Sequence, residues 1–345
     1  MRKLLSGLSL IGMLVVWSAL RLPQQTPEFT IQDNTPLNEV LLALGDQPLP
    51  HQIDASIPGV SAEAGSNLVH LGRAIKEDGG TTTRQSRHFV CTSCHNMKRE
   101  DPDLSVSDPQ ARLEYVAANG MPFLQGTALY GAVNRISFYN GDYEEKYGEL
   151  VTPARHNIRE AIQLCAVECS QGRPLKDWEL ESILAYLWEI QLQVGDLILS
   201  DTEKQSIELA LNKTGNKQKA IDLLHGKYLS GSPATFVTPP ENRKTGYPEV
   251  QPGDAENGKL IYELSCLHCH EQERYAYFEL NESKTTFDFL EKHFKKYTPY
   301  SSYQVIRYGT APLPGKRAYM PNYTREKMND QQVEDLRAYI EMKAK

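Results

Sequence analysis

Cys91-Thr-Ser-Cys94-His95 and its repeat, Cys266-Leu-His-Cys269-His270, are the two stretches that decide how this chain folds. In each, two residues separate a pair of cysteines and a histidine follows directly. This spacing lets two thiols bond covalently to the vinyl groups of a haem while the histidine binds its iron. The sequence therefore predicts two covalently attached haem c groups. The predicted attachment residues are Cys91, Cys94, Cys266 and Cys269, with His95 and His270 as iron ligands.

Two other chemistries use paired cysteines. A zinc site can be built from two Cys pairs, and a thioredoxin-like site uses a single Cys-x-x-Cys. Neither requires a histidine directly after each second cysteine. The two copies also use four of the six cysteines in the chain, which favours haem attachment.

Composition narrows the class of protein. The chain has 345 residues, of which 40% are hydrophobic and 23% are charged, and this is ordinary for a soluble protein of two or three domains. The net charge is −7, so nucleic acid is not expected as a partner. An acidic redox protein can dock a basic partner, but charge alone supports no more than that.

The N-terminus has the features of an export signal. Arg2 and Lys3 precede an apolar run from Leu4 to about Leu20. No clean small-x-small cleavage site follows, and the run is long enough to span a bilayer as a helix. Residues 1–23 are therefore expected to be a signal peptide or a membrane anchor. In either case the protein is predicted to be periplasmic or otherwise extracytoplasmic.

The remaining chain divides into four parts. The lead-in segment contains one predicted short helix near Leu37–Leu44, and the linker contains a predicted helix that Ser200 caps and that breaks near Gly215. The fold class is expected to be mostly α. The predicted parts are a lead-in segment (24–60), a first cytochrome c domain (61–195), a partly helical linker (196–247) and a second cytochrome c domain (248–345).

The second domain has the clearer layout. Gly258, Tyr262 and Cys266 follow one another at intervals of four, which places them on one helix face. Asp330 is the expected cap of a final helix with apolar residues, including Tyr339, at helical spacing. Residues 252–343 resemble the monohaem class I cytochrome c fold. That resemblance implies that a helix bearing Gly258 crosses the final helix.

Met320 is the predicted sixth ligand of the second haem. It lies in the loop before the final helix and is followed by proline, as in the class I family. A thioether ligand favours ferrous iron and raises the potential. Core packing is the alternative role for this methionine, and His293 is a weaker alternative ligand.

In the first domain a cysteine occupies the equivalent place. Asp177 is the expected cap of the closing helix, in which Tyr186 corresponds to Tyr339. Counting back from Tyr186 by the separation of Met320 and Tyr339 reaches Val167. The residues at this place are Cys165 and Cys169, on either side of Val167.

Residues Arg159–Leu175 resemble the thiosulfate dehydrogenase family and are similar to the related haem subunit of the Sox sulfur-oxidation system. In thiosulfate dehydrogenases the ligand cysteine is followed by Gly, a basic residue, Pro and Leu, which stand here at 172–175. The resemblance covers about residues 65–195. It implies that Cys165 is the distal iron ligand, and a catalytic residue if the protein is an enzyme. Ala161 and Cys169 replace the family's Arg and Ser, so the resemblance supports the ligand more than the activity.

Several alternatives remain open in the first domain. Cys165 and Cys169 could form a disulfide, and Met121 or His156 could replace Cys165 on the iron. Nearby arginines could line an anion pocket, contact haem propionates or lie on the surface, and a group of aromatic residues is expected to form a haem wall or a packed loop. The arginines are Arg135, Arg155, Arg159 and Arg173, and the aromatic residues are Tyr130, Phe138, Tyr139, Tyr143 and Tyr147.

The favoured hypothesis is an exported dihaem electron carrier. Single electrons would pass from a low-potential haem 1 (His95/Cys165) to a higher-potential haem 2 (His270/Met320), and then to another cytochrome or an oxidase. The alternative is an enzyme that oxidises thiosulfate or another small sulfur anion at haem 1, with Cys165 as a catalytic residue. A dihaem peroxidase is less favoured because the chain lacks a clear peroxidatic histidine.

Overall fold

The computed structural model describes residues 30–76, 78–311 and 319–345. Within these ranges the backbone is helical or irregular, with isolated bridges and no β-sheet. The predicted mostly α fold is therefore confirmed. The signal or anchor predicted at 1–23 lies outside the described residues, and none of the described helices is long and apolar enough to cross a membrane.

Fourteen α-helices lie in the described ranges. They are α1 (Leu37–Leu44), α2 (Ala62–Leu71), α3 (Pro109–Ala118), α4 (Tyr143–Tyr147), α5 (Val151–Ala154), α6 (Ile158–Leu164), α7 (Asp177–Glu189), α8 (Asp201–Leu211), α9 (Lys217–His225), α10 (Ala255–Ile261), α11 (Leu267–His270), α12 (Lys284–Phe294), α13 (Ser302–Tyr308) and α14 (Asp330–Ala344). Two π-helical turns, Cys165–Cys169 and Tyr262–Cys266, continue α6 and α10.

The C-terminal part is built on the crossing of α10 and α14. Gly258 lies so close to α14 that an added Cβ would collide with the Asp335 carbonyl. Tyr262 is fully buried against Tyr339, with ring centroids 5.7 Å apart. The predicted crossing is therefore present.

A second crossing of the same kind joins α2 to α7. At Gly65 an added Cβ would collide with the Ser182 carbonyl of α7. The sequence analysis did not identify α2 as the partner of the closing helix. In the C-terminal part α10 leads through its π-turn directly into Cys266, whereas a long irregular segment separates α2 from Cys91.

Both closing helices are capped differently from the prediction. Asn329, not Asp330, caps α14: its side chain accepts a hydrogen bond from the Gln332 amide at 2.9 Å. Asp330 is the first helical residue and pairs with Arg307 instead. At α7 the N-cap residue is Lys176, which makes no side-chain capping bond. Asp177 is the first helical residue and therefore not the cap.

The lead-in segment and the linker pack on each other. Helices α1, α8 and α9 share one hydrophobic cluster, which includes Leu37, Leu41, Ile207 and Leu224. Ser200 caps α8 as predicted, and the helical run is interrupted between residues 211 and 217. Apolar packing against α1 thus holds the two helices of the linker, α8 and α9, on the rest of the protein.

Candidate haem-binding sites

The first motif forms a tight turn that directs its side chains to one side. A 3₁₀ turn covers Cys91–Ser93, and the Cys94 amide donates to the Cys91 carbonyl at 3.2 Å. The next residue, His95, has its Nδ1 2.7 Å from the carbonyl oxygen of Thr127. A protonated Nδ1 donating to this carbonyl leaves Nε2 free to bind iron.

Gly126 allows the loop that contains Thr127 to lie directly against the His95 ring. An added Cβ at this glycine would come within 2.6 Å of the ring. Burial lowers the pKa of His95, which favours the neutral imidazole that binds metals. Burial raises the pKa of Cys91 to about 11.

The motif opens into a large cleft, called here the first cavity, with an empty volume of about 1750 Å³ that is partly open to solvent. Cys91, Cys94 and His95 line it, and so do Cys165 and Cys169. Most of the remaining lining is apolar, for example Leu68, Phe89, Ile162, Ile183 and Leu187. Two motif thiols, a histidine that can leave Nε2 free and two further thiols around an apolar cleft fit a covalently bound haem.

Cys165 and Cys169 both reach the first cavity and both are free thiols. Cys169 is in hydrogen-bond contact with several groups: the Cys165 thiol, the Tyr147 hydroxyl at 3.2 Å and the Tyr139 hydroxyl at 3.8 Å. These bonds, with that from Cys165 the strongest, lower the pKa of Cys169 to about 6. The same pairing and burial raise the pKa of Cys165 well above its usual value.

The sequence predicted Cys165 as the distal ligand, whereas the structure brings the sulfurs of both Cys165 and Cys169 to the same wall. The neighbouring Tyr147 and Tyr139 gave no local sequence signal for this role. Of the other ligands considered, Met121 packs in the core that contains α10 and α14. His156 is exposed, with Nδ1 3.2 Å from the Ile136 carbonyl. Neither residue lines the first cavity.

The four arginines near this region divide into two groups. Arg135 is half-buried and lines the first cavity, while its guanidinium donates to the Ala128 carbonyl at 3.0 Å. The other three carry partners of their own. These pairs are Arg155 with Glu144, Arg159 with Glu181, and Arg173 with Glu179.

The aromatic residues that were expected to form a haem wall mostly do line this cleft. Phe138, Tyr139, Tyr143 and Tyr147 are in its lining, with the rings of Tyr143 and Tyr147 stacked at 15°. Tyr130 lies elsewhere and donates to Asp196 at 2.7 Å.

The second motif occupies the helical segment that ends in α11. His270 Nδ1 lies 2.7 Å from the Phe278 carbonyl oxygen, which repeats the arrangement at His95. Burial raises the pKa values of Cys266 and Cys269 to about 12. The two motif histidines are therefore held in the same way although their sequences differ around them.

Met320 lies in the segment that enters α14. Its amide donates a hydrogen bond to the Thr310 hydroxyl at 2.8 Å, and its side chain packs, like Cys266, against the core that contains α10 and α14. Residues 315–318 of the predicted ligand loop lie outside the described residues. Met320 as an iron ligand stays a prediction.

The two motifs are neighbours in space. His268, inside the second motif, lies against the backbone of Ser93 inside the first. Cys269 is close enough to Cys94 that a thiolate on Cys269 would raise the pKa of Cys94. His268 is partly buried, and burial lowers its pKa. The Phe123 amide also donates to the Leu264 carbonyl at 2.9 Å, which ties the segments together.

A second link passes through α4. The Tyr147 hydroxyl that contacts Cys169 is also 3.0 Å from the hydroxyl of Tyr319, the residue before Met320. Beside it, Lys146 donates to Asn322 at 2.8 Å. The Met320 segment therefore contacts the sulfur-bearing wall of the first cavity.

A buried ion cluster forms a third link. Glu100 accepts from Lys327 at 2.9 Å and lies 3.3 Å from the Arg112 guanidinium. Burial alone would raise the pKa of Glu100, but the charges of Arg112 and Lys327 outweigh it and hold this pKa well below its usual value. Sequence reasoning missed the cluster, because the residues share no motif.

Comparison with known families supports the C-terminal site. The family model described as cytochrome C oxidase, cbb3-type, subunit III matches residues 253–340. This region is a c-type cytochrome domain. Such a domain implies covalently bound haem c and a role in electron transfer. No curated protein and no solved structure matches the chain.

Proposed function

We propose that this protein is an exported dihaem c-type cytochrome that passes single electrons from a haem at the first motif to one at the second. The observation that carries the proposal is the contact between the motifs, in which His268 lies against Ser93. Covalently bound haem would supply the one-electron chemistry. The protein would deliver the electrons to a redox partner, another cytochrome or an oxidase.

In the first domain the chain's own residues would hold and tune the group. Cys91 and Cys94 would carry the thioether bonds, and the Thr127 carbonyl would keep His95 Nε2 directed at the iron. Cys165 would supply the distal sulfur. A thiolate donates electron density and lowers the potential. Arg135, half-buried in the cavity wall, would pair with a carboxylate of the group.

In the second domain the corresponding residues would favour a higher potential. Cys266 and Cys269 would carry the bonds, while the Phe278 carbonyl would orient His270. Met320 would supply a neutral thioether, which stabilises ferrous iron relative to a thiolate. The difference between the two distal sulfurs would set the direction of electron flow.

Export-competent expression followed by intact-mass and haem analysis tests this proposal. We expect two covalent haems per full-length chain. Cys94→Ala and Cys269→Ala should each disturb attachment at one motif and leave the other haem in place, so each variant is the control for the other. A wild-type chain with zinc, or with one haem only, would contradict the proposal. The same mass spectra report whether residues 1–23 are removed.

A second candidate function is oxidation of a small sulfur anion at the first haem, with Cys165 as a catalytic residue. It is favoured by a half-buried Arg135 that lines the same cavity as the thiols of Cys165 and Cys169. The pairing of Arg159 with Glu181 and of Arg173 with Glu179 weakens it, because these cations are already neutralised. Direct reduction of the purified protein by thiosulfate, lost in Cys165→Ala, would support an enzyme. Absence of reduction by this anion leaves the carrier as the better account.

A further inference from the structure

The two cysteines outside the haem motifs lie on one distorted turn. Cys165–Cys169 is a π-helical turn, in which the Ser170 amide donates to the Cys165 carbonyl at 2.9 Å. In an α-helix, residues four apart are offset around the axis, because one turn takes 3.6 residues. Even so, side chains four residues apart lie on the same face, so Cys165 and Cys169 are directed to the same side of the turn.

The two sulfurs accordingly meet on the cavity wall. Their thiols are in hydrogen-bond contact, and both line the first cavity beside Cys91 and Cys94. The Tyr147 hydroxyl lies 3.2 Å from the Cys169 sulfur on the other side. Val167, between the two cysteines, has 37% of its surface exposed, so the turn lies at the protein surface. Cys165 and Cys169 are themselves only partly buried, and the open side of the first cavity is the route by which an external thiol would reach them.

We propose that Cys165 and Cys169 form a third redox centre, a reversible dithiol–disulfide pair that takes electrons from external thiols. Oxidation of the pair forms one S–S bond, breaks two S–H bonds and releases two protons and two electrons. The two electrons would pass to the two ferric haem irons, one to each, so this inference rests on the proposed dihaem function. An external dithiol then reduces the disulfide by thiol–disulfide exchange and is itself oxidised.

The centre also bears on the distal ligand. A thiolate binds metal, whereas a sulfur in a disulfide has lost that negative charge. Formation of the Cys165–Cys169 bond would thus withdraw the proposed ligand from the first haem. In Cys169→Ser the bond cannot form, and Cys165 stays available in every redox state.

Peptide mapping tests the bond itself and needs no haem signal. Trypsin cuts after Arg159 and Lys176 and releases a peptide whose only cysteines are Cys165 and Cys169. The full-length exported protein is oxidised with ferricyanide, denatured in acid and alkylated, with or without prior dithiothreitol. We expect no alkyl group on this peptide before reduction and two after it. Two alkyl groups without prior reduction would overturn the proposal.

Electron counting tests the coupling to the haems. Anaerobic reductive titration of the oxidised wild type should consume four electrons per chain, two for the haems and two for the disulfide. Cys169→Ser and the matched Cys165→Ser should each consume two. A wild type that consumes only two has no third centre. If the wild type shows no haem absorbance change but still yields the disulfide peptide, the dihaem proposal is wrong. The dithiol–disulfide pair of Cys165 and Cys169 would then stand without its coupling to haem.

Discussion

At the scale of single residues, the motif histidines share a restraint. Nδ1 of His95 and of His270 each lies 2.7 Å from a backbone carbonyl oxygen, supplied by Thr127 and Phe278. Such a bond fixes the tautomer and the ring orientation of a metal-binding histidine. Because both carbonyls belong to irregular segments, the sequence around the motifs gave no indication of which residues would supply them.

The hydroxyl of Tyr147 is expected to be important for stability. It contacts the Cys169 sulfur at 3.2 Å and the Tyr319 hydroxyl at 3.0 Å, so Tyr147→Phe leaves two half-buried polar groups short of a partner. We expect a loss of about 1–3 kcal/mol in the free energy of unfolding, measured by urea denaturation. Tyr143→Phe is the control, since it keeps the stacked rings and both contacts. Equal effects of the two substitutions would contradict this role.

At the scale of elements, two helix crossings form the frame of the molecule. Gly65 on α2 and Gly258 on α10 each lie against a backbone carbonyl of the opposing helix, Ser182 on α7 and Asp335 on α14. A side chain at either glycine would separate the helices on which the adjacent cavity and core depend. The two crossings thus have the same physical basis although only one was predicted.

Gly65→Ala and Gly258→Ala should each destabilise the protein. The added Cβ overpacks a rigid backbone contact, and we expect a cost of about 1–3 kcal/mol in unfolding experiments. Gly226→Ala at the end of α9 is the control, because its Cβ would meet ordinary contacts of 3.4 Å and its φ is −72°. A control variant as unstable as the other two would show that the crossings are not the cause.

What the sequence could predict depended on separation along the chain. The helix bearing Gly258 and the helix bearing Tyr339 were recognisable from local spacing. The contact of Tyr147 with Tyr319 joins residues 172 positions apart, and that of Lys327 with Glu100 spans 227. Pairings at such distances depend on tertiary packing, which local periodicity does not encode.

At the scale of the whole molecule, a buried charge cluster connects the segment after the first motif with the segment before α14. Glu100 follows the first motif, whereas Lys327 precedes α14, and Arg112 lies between them on α3. Both Glu100 and Arg112 are almost fully buried. Removing one partner leaves the others as uncompensated buried charges. Substitution of any one member of the cluster is therefore expected to destabilise the protein.

Glu100→Gln should therefore destabilise the protein by about 3–5 kcal/mol at neutral pH. The folded-state pKa of Glu100 is depressed below the ordinary value of 4.5. Its contribution is thus fully present above about 4.5 and is lost as the pH falls towards the lower, folded-state pKa. Urea denaturation across pH should show the gap between wild type and Glu100→Gln narrowing below about 4.5. A gap that is independent of pH would contradict the assignment of this charge.

A potentiometric titration of the full-length protein, followed by haem absorbance, tests the central claim most directly. The account predicts two one-electron steps at different potentials. Met320→Ala should move the upper step, and Cys165→Ala the lower one. A single step, or two steps that neither substitution moves, would contradict a pair of haems distinguished by their distal sulfur ligands.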